Sequence, residues 1–235
     1  MMKARVVLTL VLYKGSIYKT INFEPKIYCG DPANVCAVYS DFGVDEILLI
    51  NKDAKRQGID FHILEKLISD CFVPITYCGA VDSIECYSRL INIGFDRIGF
   101  GVEDGNCDYE LVRHGASKFG VQSTVALVSY IEKGFHRYTL NKNKPDRLED
   151  LLGSIPFELF SEIILQSATR DGTRQGIDIN VLANNSLGAR GIILSGGAKS
   201  FCEVKKINEQ FGITVGVSSI ATLYKNDGVL LQWKD

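Results

Sequence analysis

The 235-residue sequence lacks a charge excess of either sign, long apolar runs and more than a few histidines. Lys and Arg number 26 against 28 Asp and Glu, a net charge of −2, so no basic face for a nucleic-acid partner is expected. No apolar run reaches the roughly 18–20 residues of a membrane span, which leaves no membrane partner to expect. The three histidines (62, 114, 136) fall on presumed helices or in a basic segment, giving no support to a Ser/His/Asp arrangement. The seven cysteines form no CxxC pair and no Cys/His spacing suited to zinc, and no metal or cofactor is expected. An odd cysteine count without secretory features implies reduced thiols in the cytoplasm, most of them acting as small apolar core residues. The start, MMKARVVLTLVLYKG, is basic but has no small-residue cleavage site, so it reads as a buried first strand. No linker or low-complexity tract divides the chain, and residues 1–235 read as one domain.

What is present is a pattern written twice. Residues 45–50 (DEILLI) match 161–166 (SEIILQ) at an offset of 116. Residues 75–83 match 192–200, and IGFG at 98–101 matches VGVS at 215–218, both at 117. Matches in one order at one spacing suggest two homologous halves, about 1–118 and 119–235. Apolar β-branched runs predict strands at 5–11, 46–51, 74–78, 96–100, 122–128, 162–167, 191–195 and 213–218. Helix-period segments predict helices at 32–42, 60–71, 83–93, 108–118, 146–159, 178–187 and 199–210. Unbroken apolar strands indicate burial on both faces, as in a parallel sheet under helices. Eight strands in two equivalent halves favour a closed (β/α)8 barrel over a doubly wound open sheet. The chain ends ATLYKNDGVLLQWKD, too short for a full last helix.

In such barrels the reactive face is built by loops after the strands. The segments 169–173 (TRDGT), 195–198 (SGGA) and 216–219 (GVSS) fall there. Gly172, Gly196, Gly197, Ser218 and Ser219 are candidates for holding a phosphate, since glycines let backbone N–H groups approach closely. Tight turns without a ligand are the alternative. The matching first-half loops read Cys78-Gly79-Ala80-Val81 and Gly101-Val102-Glu103-Asp104, whose carboxylates would repel a phosphate. Segment 132–145 (EKGFHRYTLNKNKP) reads as a solvated hairpin or loop after the fifth strand. Arg5, Glu46, Arg97 and Glu162 each open a strand. They are either solvated or, if turned into the barrel, obliged to pair as a neutral ring across its floor. Lys19 and Asp171 are the candidates for proton transfer, with a surface lysine and a helix-capping aspartate as the ordinary alternatives.

With these residues in place, the sequence resembles the cyclase subunit of imidazole glycerol phosphate synthase over nearly its full length. The resemblance rests on Lys19 with Asn22-Phe23, Gly30-Asp31-Pro32, Asp45-Glu46, Arg170-Asp171-Gly172-Thr173 and Ser195-Gly196-Gly197-Ala198. It implies a half-barrel-duplicated (β/α)8 fold and a glutaminase docked at the amino-terminal face, delivering ammonia through the barrel. It also implies an entrance guarded by Arg5, Glu46, Arg97 and Glu162, with Arg97 where the family has lysine.

The departures are equally informative. The family cyclises with two aspartates, near the ends of strands one and five, and those positions read Val11 and Val128. Valine transfers no proton, and losing such a group costs about 10²–10⁴-fold each. The first phosphate loop, usually GGG, is CGA, and the usual Asn-Thr after strand four is Gly101-Val102. A preserved entrance with altered cyclase chemistry resembles the cyclase-like proteins of bacterial surface-polysaccharide clusters. Those work with a glutaminase-like partner and a sugar amidotransferase, and the ending DGVLL also resembles that branch. The implied function is an ammonia-conducting, cyclase-like subunit that holds a phosphorylated small molecule or anion at its second-half loops. An authentic cyclase of histidine biosynthesis and a non-catalytic glutaminase scaffold are the rival expectations.

Overall fold

A computed structural model describes residues 5–41, 44–102, 107–134, 136–140, 147–183 and 191–217. The first strand, β1 (Val6–Tyr13), pairs antiparallel with β2 (Ser16–Ile21), which pairs with β3 (Glu24–Gly30). There follow α1 (Pro32–Asp41), β4 (Glu46–Asn51), α2 (Ala54–Gln57), α3 (Phe61–Ser69), β5 (Ile75–Cys78), α4 (Ile84–Ile93), β6 (Arg97–Gly101) and α5 (Tyr109–Phe119). The remainder is β7 (Thr124–Lys133), β8 (His136–Thr139), α6 (Leu148–Ser154), β9 (Glu162–Ser167), β10 (Gly191–Ser195), α7 (Phe201–Phe211) and β11 (Thr214–Val217). Eight strands run parallel in the order β1-β4-β5-β6-β7-β9-β10-β11, and β11 closes on β1 through Val6–Val215, Val7–Gly216 and Leu8–Val217. The fold is a closed (β/α)8 barrel.

The strands bury both faces because both are apolar. One parity fills the lumen with Val7, Leu48, Cys78, Val125, Leu127, Ile164 and Ile193. The other, including Leu8, Leu10, Ile47, Leu49, Ile98, Ala126, Val128 and Leu165, packs outward under the helices. Helix starts are set by side-chain caps. Asp60 accepts from the His62 and Ile63 amides, Asp108 from Glu110 and Leu111, and Ser83 from Cys86. Pro32 opens α1, where its missing N–H costs nothing, while Asp31 accepts from Ala33 and Asn34.

Several details depart from the sequence expectations. Strands not expected from the sequence appear because β1 and β7 outrun the barrel and fold back as antiparallel hairpins, and Lys19 lies in the first of these, inside β2. The predicted helix 146–159 is α6 followed by a single 3-10 turn at Phe157–Leu159, broken by Pro156. Predicted helix 178–187 is a 3-10 turn at Ile179–Ala183, and its last residues lie outside the described ones. Glu103, Asp104, Ser218, Ser219 and the DGVLL ending also lie outside them. All seven cysteines are free thiols; Cys36 and Cys78 are buried, Cys29, Cys71, Cys86 and Cys107 pack half-buried against the core, and Cys202 is exposed. Among the described residues no helix is long and apolar enough to cross a membrane.

Gly115 on α5 shows packing outweighing helix propensity. A Cβ there would lie 2.5–2.9 Å from three ring atoms of Tyr87, a fully buried side chain stacked between Phe100 and Phe119. Gly→Ala in an exposed helix gains about 1 kcal/mol. Overpacking a core costs about 1–3 kcal/mol. Gly115→Ala is therefore expected to lower the urea unfolding midpoint, with the slope unchanged.

Candidate functional site

The amino-terminal end of the barrel is closed by charge. Each of β4, β6 and β9 begins with a residue of lumen parity, and these are Glu46, Arg97 and Glu162; Arg5 precedes β1. Arg5 donates two hydrogen bonds to Glu162, at 2.5 and 2.7 Å, and lies 3.9 Å from Glu46. Arg97 bridges the carboxylates, one guanidinium nitrogen on Glu46 and another on Glu162. Its Nε donates to Thr76 Oγ1 (3.0 Å), and that hydroxyl donates to Glu46 (2.8 Å). Glu46 is 3% exposed and Glu162 8%, so neither carboxylate is solvated, and two cations balance two anions. Gly191 makes room, since a Cβ there would lie 2.8 Å from Glu162 Cγ. Burial pushes the Glu162 carboxyl up, but the hydrogen bonds and charges of Arg5 and Arg97 outweigh it and hold the group below the usual carboxylate range. Burial lowers Arg97 from the ordinary guanidinium value, against the opposing pull of Glu162.

At the other end, the segment after β9 ties down both hairpins. The side chain of Asp171, fully buried, accepts from Thr20 Oγ1 (2.5 Å) and the Phe23 amide (3.2 Å), and its carbonyl accepts from the Asn22 amide (3.0 Å). Asn22 and Phe23 have φ of 51° and 64°, the left-handed pair of a tight hairpin turn. Gly172 is pressed on the same hairpin: a Cβ there would lie 2.0 Å from Thr20 O. Asp171 is thus a buried latch, neither a helix cap nor a solvated acid, and Gly172 is turned to the hairpin. Half-buried Lys19 stands opposite Ile27 in the β2–β3 ladder. Asp53 likewise serves the backbone, accepting from the Lys14 amide at 3.0 Å.

The β7–β8 hairpin, expected as solvated surface, is clasped instead. Arg170 makes a bidentate pair with Glu132 at 2.7–3.0 Å, and Ser167 Oγ donates to the same carboxylate (2.8 Å). Arg137 grips Asp178 at 2.5 and 2.6 Å, and Tyr130 OH donates to Asp178 at 3.1 Å. Hydrogen bonds to these carboxylates raise both guanidinium values, and burial, with the Asp178 charge, pushes the Tyr130 phenol well up. Phe135 and residues 141–145 of that segment lie outside the described ones.

Gly196 and Gly197 adopt φ of 98° and 92°. A Cβ on Gly196 would meet Ser167 O at 2.5 Å, and one on Gly197 would meet Gly176 O at 2.6 Å, so only glycine fits. The start of α7 beside them already carries a carboxylate. Ser200 caps Glu203 N, while Glu203 accepts from the amides of Lys199 (2.7 Å) and Ile177 (3.3 Å). An anion entering this loop would meet that charge. In the first half Ala80 sits at φ 46°, a conformation glycine adopts without strain.

The two valines occupy different faces. Val11 has the parity of Val7 and so faces the lumen near its mouth. Val128 packs in the outer layer, and the lumen-facing residue there is Ser129, which follows Leu127 by two. At the upper end of β7 the lumen is thus faced by Ser129, level with Gln166 on β9. Neither is a carboxylate. Among the described residues no cluster of three or more His, Cys, Asp or Glu is placed to hold a metal.

The chain is a closed (β/α)8 barrel, a fold whose members build their sites from the loops after the strands. Residues 7–226 match the family described as "Histidine biosynthesis protein", and the chain belongs to that family. It is 29% identical over 232 residues to a Leptospira interrogans protein named "Putative imidazole glycerol phosphate synthase subunit HisF", covering 93% of this chain and 89% of that one. It is 28% identical over 246 residues to "Putative imidazole glycerol phosphate synthase subunit hisF2" of Pseudomonas aeruginosa, covering 100% and 97%. A third relative, hisF2 of Campylobacter jejuni, is 26% identical over 235 residues, covering 95% and 90%. The chain is a HisF-like member of the cyclase family.

Replacing Arg97 with Ala leaves two buried carboxylates to the single cation Arg5. The expected cost is about 3–5 kcal/mol of unfolding free energy, measured by urea denaturation. The folded state favours ionised Glu162, so its contribution is complete above the unfolded glutamate value of about 4.3 and is lost as pH falls through the lower folded value. Glu162→Gln is therefore expected to flatten the acid side of the stability–pH profile below about pH 4.3.

Proposed function

We propose that this chain is the cyclase-like subunit of a glutamine-dependent amidotransferase system, receiving ammonia at its floor from a docked glutaminase. The observation that carries the reading is the neutral Arg5–Glu46–Arg97–Glu162 plug beneath an apolar lumen whose upper end presents Val11 and Ser129 instead of two carboxylates. A neutral plug lets ammonia pass uncharged, and an apolar lumen favours ammonia over ammonium because burying an unpaired charge is costly. Arg97 spans both glutamates at once with its planar fork, which a lysine point charge does less well. In this reading, opening means swinging Arg97 off one carboxylate, and the bound partner supplies the compensating contacts.

The acceptor side follows from the mouth. Without acid and base at the ends of β1 and β7, ring closure on a bis-phosphorylated substrate is not supported, and nitrogen passes to a separate acceptor enzyme. The resemblance to surface-polysaccharide proteins makes a sugar amidotransferase that enzyme. Gly196 and Gly197 line the loop where a phosphorylated ligand or other anion would sit, with Glu203 as its competitor. The two halves, about 1–118 and 119–235, then keep a shared floor and differ at the mouth.

The test is reconstitution with a glutaminase from the same organism that co-purifies with this chain, using glutamine labelled with ¹⁵N in the amide. Label is expected in the acceptor product, and Glu46→Gln or Glu162→Gln is expected to cut transfer at least tenfold with partner binding intact. The interlocked plug favours a second reading, a scaffold that only positions the glutaminase. Transfer indifferent to both substitutions would establish that reading instead. Robust turnover of the bis-phosphorylated cyclase substrate with ammonium salts would show an authentic cyclase.

A further inference from the structure

Near the mouth of the lumen, Gln166 stands out among the buried polar groups. It is fully buried on β9, with the lumen parity of Glu162 and Ile164. Neither its Oε1 nor its Nε2 has a hydrogen-bond partner among the described residues. In the parallel ladders it lies level with Ser129 on β7 and Ser195 on β10, both of lumen parity. Ser195 Oγ lies 3.4 Å from Thr9 Oγ1, and both side chains are buried. Thr9, Ser129, Gln166 and Ser195 thus form a polar, uncharged belt above the apolar layer of Val7, Leu127 and Ile164.

A buried amide with both atoms unsatisfied is rare in folded proteins, because each lost hydrogen bond is a substantial fraction of net stability. Charge is the wrong complement: these four residues carry none, and an ion brought over the apolar layer would lose its hydration without a counter-charge. A neutral hydride with donors and a lone pair is the right one. It donates N–H or O–H to Gln166 Oε1 and accepts from Nε2–H, while the neighbouring hydroxyls take either role.

We infer that Gln166, with Thr9, Ser129 and Ser195, forms a binding station for one molecule of neutral ammonia between the apolar lumen and the mouth. Water shares the same hydrogen-bonding chemistry and is the competing occupant. The station rests on the conduit reading above. It adds a place where ammonia pauses, held by neutral hydrogen bonds weak enough to release it upward.

The probe is ammonia itself, applied to the full chain with glutamine side chains labelled with ¹⁵N. The Gln166 resonance pair is assigned by its loss in Gln166→Met, a nearly isosteric change whose fold is checked by thermal melting and by unchanged spectra elsewhere. Ammonium chloride is titrated at one pH where it is fully protonated and at another where much of it is neutral, with sodium chloride matched at each. The expected result is a saturable shift of the Gln166 pair that follows neutral ammonia and not total salt. No shift, or an equal shift with sodium chloride, means the station holds water only and overturns the proposal. In the reconstituted complex, Gln166→Met is expected to lower the nitrogen delivered per glutamine hydrolysed by about five-fold, the weight of one neutral hydrogen bond. Wild-type chain that delivers no nitrogen would sink the conduit reading, while the titration still decides the station.

Discussion

Two glutamates buried at the floor of the barrel set the terms for the rest of the molecule. Glu46 and Glu162 have left water, and a lone buried carboxylate would either take up a proton or destabilise the fold. Arg97 answers both at once, and Arg5 completes the balance from β1. The charges come from four strands spread around the barrel, so the ring exists only when the sheet closes in register. Closure of β11 onto β1 is in this sense coupled to neutralisation of the floor.

The opposite end is organised by hydrogen bonds from one segment. Residues 167–178 hold the β2–β3 hairpin through Asp171 and the β7–β8 hairpin through Arg170 and Asp178. Each contact satisfies a charge that would otherwise be buried alone, which explains why an Asp-Gly pair here is structural. The floor is thus an electrostatic plug and the mouth a latched pair of hairpins. Between them lie an apolar lumen and one belt of uncharged polar side chains.

How much of this was legible in the sequence depends on how far apart the partners lie. Strand cores such as Ile47–Ile50 and Ile163–Leu165 were readable because apolar runs bounded by turns report burial locally. The floor was readable as a possibility, since a charge placed just before a buried strand has few destinations. The first hairpin was not. The residues of β2 and β3 are largely polar and half-exposed, with no period that separates them from a loop. Which of Val128 and Ser129 faces the lumen was not legible for a related reason. A strand buried on both faces has no polar side to set its phase, and a one-residue error exchanges lumen for outer layer.

By itself the sequence determined the order of elements, the parallel barrel and the charges at the strand starts, because these follow from composition within a few residues. Tertiary structure alone decided that Arg97 meets Glu46 and Glu162, that Asp171 reaches Thr20, and that Gln166 stands level with Ser129 and Ser195. Those encounters join residues 51 to 151 positions apart, or strands whose phase only the closed sheet sets. No local pattern encodes them, since hydrogen bonds and ion pairs are chosen by the geometry the packed core imposes.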